Sequence, residues 1–268
     1  MNCITTTIRK HSIPAEQLAR NLAGTLQVPY VERDNLSLDA LRRRFDVDNI
    51  IVATQSHPIV STLGGNYFFH LSMAELRIKN LINGNYDHMS TAMALAPGRT
   101  VLDCTLGLAT DAVVASYIVG NSGQVVGLEI TAIIAAVTAL GLQQFTNSGI
   151  DPAIIAALRR IKVYHTDCLT YLRELPNNSF DVVYFDPMFR HPVTDSANLN
   201  PLRRLADAAP LNLSSIREAC RVAALRVVVK EANGSPEFAR LGIASLLGGK
   251  YSSIQYGIIE TGGTAWNE

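Results

Sequence analysis

From about residue 100 onward, short runs of consecutive apolar residues alternate with longer segments in which apolar positions recur every three to four residues. Unbroken apolar runs suit strands buried on both faces, and the longer period suits helices that bury one stripe. The strands expected on this basis are 99–103, 124–129, 161–166, 180–185, 225–231 and 252–260; the helices between them are 110–119, 131–146, 151–159, 168–174 and 213–223. That order predicts a mostly parallel sheet with helices on both faces. The last strand, rich in aromatic and β-branched residues, is expected as an antiparallel edge.

The first ninety or so residues follow another pattern. "PAEQLARNLAGTL" reads as an amphipathic helix opened by Pro14, "SLDALRRRF" as a second helix and "NIIVATQ" as a strand. "SMAELRIKNLI" reads as a helix with Ser72 as N-cap and Glu75 three residues on. Gly84, Pro97 and Gly98 punctuate residues 83–98, which divides the chain into a small N-terminal α/β appendage, 1–85, and a larger sheet domain, 86–268.

Composition narrows the function classes. The 268 residues are 48% hydrophobic and 17% charged, with 23 Lys and Arg against 23 Asp and Glu. Such a balance argues against a uniformly basic nucleic-acid coat while leaving a local basic face open. Cys3, Cys104, Cys168 and Cys220 are scattered without a CxxC pair, so neither a zinc site nor a disulfide framework is expected, and reduced, cytoplasmic thiols are the simplest reading. The longest apolar run, 130–142, is too short to span a bilayer, and the N-terminus lacks the apolar core of a signal peptide.

Candidate chemistry gathers at strand ends. "TVLDCTLGLATDAVVA" is a strand, a small-residue turn and a helix, so backbone N–H groups and a helix N-terminus face the carboxyl edge, where open α/β sheets bind ligands. Asp103 ends the first strand, Gly107 allows close backbone approach and Ala109 is small, but the turn is no GxGxxG, so a dinucleotide turn is poorly supported. Glu129 ends the second strand, 22 residues after Gly107, where a carboxylate can accept both ribose hydroxyls. Asp167 follows the third, with Cys168 beside it. Any one of these acids is as readily a helix cap or a solvated strand end; three at successive strand ends are harder to dismiss.

"VLDCTLGLATDA", "VVGLE", "YHTDCL" and "FDPMF" together resemble the successive motifs of class I S-adenosylmethionine-dependent methyltransferases, closest to the bacterial small-subunit rRNA guanine-N2 group. The resemblance covers roughly residues 90–232 and departs at Ala109, where that group has Gly, and at Arg190, where it tends to have Pro. It implies a doubly wound, mostly parallel, seven-stranded Rossmann-like methyltransferase sheet that binds S-adenosyl-L-methionine. Asp103 and the Thr105–Gly107 turn would face the methionine part, Glu129 the ribose, and Asp167 with Cys168 the adenine, while Asp111 would meet the cofactor ammonium or cap its helix.

In "VVYFDPMFRH" the carboxylate of Asp186 and the carbonyl of Pro187 can accept both N–H bonds of an exocyclic amine. That would draw the nitrogen toward tetrahedral geometry and free its lone pair, with no metal required. Phe189 would be a stacking face for a flipped base. Met188, Arg190, His191 and Lys230 would contact the acceptor, and Arg203 and Arg204 could meet phosphates. "LRRRF" and Arg159–Arg160 read as solvated faces, and His165 as packing at a strand end. The expected function is N-methylation of a base amine, guanine N2 in small-subunit rRNA. The alternatives are a small-molecule or protein acceptor, a non-catalytic RNA-binding or assembly factor, and a nicotinamide-dependent oxidoreductase, which leaves Asp-Pro-Met-Phe without a role.

Overall fold

The computed structural model describes residues 2–10, 12–187, 205–206, 209–249 and 251–261. Two compact units emerge: the first includes Met1–His70 and Thr131–Phe145, the second Leu71–Ile130, Thr146–Arg190 and Ala208–Glu268.

In the first unit, β1 (Cys3–Thr7), β2 (Asn49–Ala53), β3 (Pro58–Thr62) and β4 (Gly65–Tyr67) form a sheet in chain order. β1 pairs parallel with β2, and the others pair antiparallel. α1 (Ile13–Leu26) starts with a proline in its first turn, and α2 (Leu38–Phe45) is capped by Ser37, whose hydroxyl accepts the Ala40 N–H at 3.0 Å. Ile4, Leu41, Ile50 and Val52 form the core. α6 (Ala132–Gln144) belongs to this unit, with Thr138 Oγ1 3.4 Å from the Tyr67 hydroxyl and the Phe145 ring 6.0 Å from Phe69. β1, β3 and β4 escape a pattern-based reading because they are short and polar: Thr5 and Thr6 of β1 are fully buried.

The second unit carries the larger sheet. Among the described residues its strand order is β10-β11-β9-β8-β5-β6-β7, where β5 is Thr100–Asp103, β6 Gln124–Glu129, β7 Lys162–His165, β8 Phe180–Phe185, β9 Ala223–Ala232, β10 Ser245–Leu247 and β11 Ile254–Glu260. β5 to β9 are mutually parallel, and β11 runs antiparallel to β9. The expected antiparallel strand is present but is not the edge, because the three-residue β10 pairs outside it. The doubly wound architecture is otherwise as expected, and its order reverses at β5, the switch point beside which such sheets bind ligands.

Strand alternation sorts the sheet's faces. Leu102, Val126, Leu128, Val183, Phe185, Val227 and Val229 join Leu172 of α8 (Cys168–Glu174) and Ile216 and Ala219 of α9 (Leu213–Val222) in one core. The other helices of this unit are α3 (Ser72–Ile82), α4 (His88–Ala92), α5 (Thr110–Val119), α7 (Pro152–Arg160) and α10 (Glu237–Arg240). α5 packs on α3 and α7. α3 begins at Ser72 itself, so Leu71 occupies the N-cap position expected for Ser72; the backbone enters the helix one residue early, with Glu75 N–H donating to Leu71 O at 3.1 Å.

One arginine of each basic cluster fastens the fold, while Arg43 and Arg44 are exposed as expected. Arg42 donates to Asp39, Asp48 O, Ser61 Oγ and Thr62 O, and Arg160 donates to Asn121 Oδ1 and Ser116 O. No described helix is long and apolar enough to cross a membrane.

A close approach with no room to give lies between α5 and β6. A Cβ on Gly123 would sit 2.5 Å from Val119 Cβ and 2.6 Å from the Arg99 carbonyl, neither of which can swing aside. Gly123→Ala is therefore expected to cost about 1–3 kcal/mol, read as a Tm several degrees lower in a thermal melt, whereas Gly84→Ala, with open space around its Cβ, loses only what its φ of +79° costs.

Candidate active site

The turn after β5 joins three strand ends. Asp103, 2% exposed, accepts the Thr105 N–H on Oδ1 at 3.0 Å. Cys104 N–H donates to Tyr184 O of β8 (2.9 Å), Leu106 N–H to Leu128 O of β6 (2.9 Å) and Gly107 N–H to Glu129 Oε2 (3.1 Å). Successive turn residues are thus tied to both neighbouring strands. The backbone then passes through the left-handed region at Gly107 (φ 51°) and at Ala109 (φ 62°), the N-cap of α5. A side chain there is strained by about 1–2 kcal/mol, at the position where the resembling family carries Gly.

Glu129 is 6% exposed, and its carbonyl accepts the Thr166 N–H at 3.1 Å, which connects β6 to the turn after β7. Asp167 in that turn is the N-cap of α8, its Oδ1 accepting from Thr170 N (2.8 Å) and Thr170 Oγ1 (2.9 Å). Cys168 opens the helix, with Sγ 3.9 Å from Ser215 Oγ. His165, expected to pack, is exposed, with Nε2 3.1 Å from the Ile130 carbonyl.

The end of β8 is held from two sides. Asp186 N–H donates to Thr105 Oγ1 at 2.6 Å, and its Oδ2 accepts from Lys230 Nζ at 2.8 Å. Lys230 also reaches Asp111 Oδ2 (3.0 Å), to which the Tyr184 hydroxyl donates at 2.6 Å. Asp111 Oδ1 accepts from Arg77 Nη1 at 2.5 Å, and Arg77 closes a bidentate pair on Asp87 through Nε (2.9 Å) and Nη2 (3.0 Å). One chain of charge therefore runs Asp87, Arg77, Asp111, Lys230, Asp186 and draws on α3, the loop before α4, α5, β9 and β8. Asp111 spends both oxygens in it, and α5 has no side-chain cap.

Electrostatics follow from burial and pairing. Burial would raise the Asp111 carboxyl, but Lys230, Arg77 and the Tyr184 hydroxyl hold it well below the usual range. Burial would lower the Lys230 ammonium, and Asp111 and Asp186 instead hold it above its ordinary value; Arg77 is held up in the same way by Asp111 and Asp87. Asp186 is pushed upward by burial against the opposing pull of Lys230. Asp103, fully enclosed and with Asp111 and Asp186 nearby, is raised to about 8. Two cations against three carboxylates (Asp87, Asp111, Asp186) leave this chain one negative charge in excess.

The structure brings Asp103, Thr105, Gly107, Glu129, Asp111, Asp186 and Lys230 to one edge of the sheet, and sets Asp167 and Cys168 at the start of α8. Pro187 follows Asp186 at the last described position of the motif. Met188, Phe189, Arg190, His191, Arg203 and Arg204 lie outside the described residues. Arg77, Asp87 and Tyr184 were not singled out from the sequence. Tyr184 carried a signal, a phenol within a strand buried on both faces, where a hydroxyl needs a partner; Arg77 sits in an ordinary amphipathic pattern.

Two outcomes are expected. Asp103 has a folded value near 8 against an ordinary 3.8, so its contribution to stability is complete below the ordinary value and lost as pH rises through about 8. Asp103→Asn keeps an acceptor for Thr105 and cannot ionise, so its Tm advantage over wild type should grow between pH 4 and pH 8; equal pH slopes in a melting series would refute this. Lys230→Met leaves Asp111 and Asp186 without their shared ammonium, a loss expected to reach about 3–5 kcal/mol in chemical denaturation.

The family model described as "Putative SAM-dependent methyltransferase" matches residues 68–251. YpiP of Bacillus subtilis (strain 168), described as an uncharacterized protein, is 38% identical over 260 residues, 96% of this chain and 99% of that one. Ribosomal RNA small subunit methyltransferase J of Dechloromonas aromatica (strain RCB) is 31% identical over 175 residues, 63% of this chain and 69% of that one. Among solved structures, the SAM-dependent methyltransferase NGO1261 from Neisseria gonorrhoeae superposes with a TM-score of 0.63 at 17% identity, covering 97% of this chain and 96% of that one, a likeness of fold. The family model spans well over half of the chain and takes in all of the strand-end carboxylates, so the protein belongs to this family and is an S-adenosylmethionine-dependent methyltransferase.

Proposed function

We propose that the methyl acceptor is an exocyclic amine of a nucleobase in RNA, most specifically guanine N2 of small-subunit rRNA. The observation that carries this reading is the way Asp186 is held. Thr105 fixes its backbone and Lys230 takes its Oδ2; among the described residues its Oδ1 accepts no hydrogen bond and is available to an amine N–H. The Pro187 carbonyl, on a residue with fixed φ, is the second acceptor. The likeness to ribosomal RNA small subunit methyltransferase J supports RNA as the substrate class.

The chain's residues fit the cofactor. Buried Asp103 and Glu129 flank a turn that lets a ligand approach the backbone closely, a donor and acceptor set suited to a molecule bearing hydroxyls and an amino-acid end. Glu129 would hold the ribose, Asp103 with the Thr105–Gly107 turn the methionine part, and Asp167 and Cys168 the adenine. S-adenosylmethionine supplies an electrophilic methyl on its sulfonium.

As the amine attacks, positive charge grows on its nitrogen. The Asp186 carboxylate is preorganised to stabilise that charge, because Lys230 and Thr105 already fix it and no reorganisation is needed at that moment. The excess negative charge of the Asp87 to Asp186 chain acts in the same sense. Lys230 thereby acts on Asp186 rather than on the acceptor directly. Residues 86–268 carry this chemistry, with Arg77 contributed by α3 from the preceding 85. Phe189 as stacking face and Met188, Arg190 and His191 as acceptor contacts belong to the same proposal. Zero formal charge favours a second reading, a small-molecule or protein acceptor.

S-adenosylhomocysteine is expected to raise the Tm, because a ligand that binds only the folded state stabilises it by mass action, and NADH is not. Asp186→Ala should retain most of that shift while losing transfer, whereas Glu129→Ala should lose the shift. Mass mapping of methylated nucleosides in rRNA from a strain lacking the gene should reveal one missing N2-methylguanosine, restored by the wild-type chain and not by Asp186→Ala. An unchanged rRNA methylation profile would redirect the reading to the small-molecule or protein acceptor.

A further inference from the structure

The second unit holds a cavity of about 310 Å³, at the small end of the range for ligand pockets. Its wall includes Arg77 and Asn80 of α3, Tyr86, Asp87 and His88 from the segment leading into α4, and Tyr256 of β11. Neither Asp186 nor Pro187 is among its described lining residues, so it is distinct from the point where the methyl would be delivered.

Its chemistry argues for one kind of ligand. The charge of the Arg77 guanidinium is matched by two carboxylates: Nε and Nη2 serve Asp87, and Nη1 serves Asp111. The charged wall is therefore neutralised from within and offers little to a phosphate. What remains is aromatic and amide surface. The Tyr86 ring is 63% exposed and meets the His88 ring edge-on, with centroids 4.7 Å apart. His88 Nδ1 is shut away from water, so what His88 presents to the cavity is its ring face beside Tyr86 rather than that nitrogen. Asn80 adds an amide able to both donate and accept. A flat, uncharged heteroaromatic ring with polar edges matches this set, and unstacked RNA bases are recognised by such combinations of ring and amide.

The cavity is also wired to the reacting edge. Arg77 lines it and simultaneously pairs with Asp111, which shares Lys230 with Asp186. A ligand seated there bears on the group that anchors the whole charge chain.

We propose that this cavity is a subsite for a nucleobase neighbouring the methylated one, stacked on Tyr86 and hydrogen-bonded to Asn80. The proposal rests on the reading of the acceptor as RNA. Small-subunit rRNA from a strain lacking the gene serves as probe, with full-length wild type, Tyr86→Leu, Tyr86→Phe and Asn80→Ala compared for kcat, KM and S-adenosylhomocysteine affinity. Tyr86→Leu should raise the KM for rRNA on the order of tenfold or more, the scale of one lost stacking contact. Tyr86→Phe, which keeps the ring, should stay near wild type, and Asn80→Ala should raise KM by a smaller factor. S-adenosylhomocysteine affinity should hold in all three, and the exposure of Tyr86 should keep the Tm of its variants within a few degrees. A wild-type KM in both Tyr86→Leu and Asn80→Ala would overturn the subsite while leaving the RNA reading intact. A wild-type protein that binds S-adenosylhomocysteine but neither binds nor methylates rRNA would remove the RNA reading, and the subsite with it.

Discussion

The largely buried chain of charge from Asp87 through Arg77, Asp111 and Lys230 to Asp186 is the constraint on which the rest of the second unit depends. Partly withdrawing five ionised groups from water carries a desolvation cost, repaid only when each finds well-placed partners. Here each does, at 2.5 to 3.0 Å. Such a chain adds little net stability over an apolar core of the same volume, but it tolerates no loose register. A one-residue slip of β9 against β8 would turn Lys230 to the opposite face of the sheet, away from Asp186 and Asp111. Correct strand pairing and a correctly held Asp186 are thus one requirement.

The turn after β5 obeys a similar logic. Its N–H groups are divided between β8 and β6, with Glu129 supplying a side-chain acceptor to Gly107. Thr105 extends the tie to the Asp186 backbone. The cost of this arrangement appears at Ala109, an L-residue held at φ 62°. Strain at such a point persists only where the surroundings over-determine the backbone, and here four hydrogen bonds do so between Asp103 and Gly107. The same enclosure pushes the Asp103 carboxyl upward, to about 8, while its neighbours Asp111 and Asp186 are paired with cations.

Much of this was legible in the chain. Continuous apolar runs and helical periods located β5, β6, β8, β9, β11 and most of the helices, because a strand largely buried has few sequences open to it; β7, exposed or half-buried along its length, was located without that constraint. The strand-end acids Asp103, Glu129 and Asp186 could be found because the end of such a strand is where polar side chains re-enter. β10 could not, being three residues long, nor could β1, where buried threonines stand in positions that pattern reading assigns to apolar groups.

What the sequence determined by itself was local: which segments are strands or helices, which carboxylates stand at strand ends, and that Asp-Pro follows a buried strand. What only the tertiary structure decided was pairing. Arg77 sits in an ordinary amphipathic pattern and Lys230, 153 positions on (230 − 77), was expected to contact the acceptor, yet both close on Asp111. Asp167, singled out with the other acids, is the N-cap of α8. An acidic or basic side chain announces its charge in the sequence, but its partner is chosen by which strands and helices the fold brings within 3 Å, and that depends on every element at once.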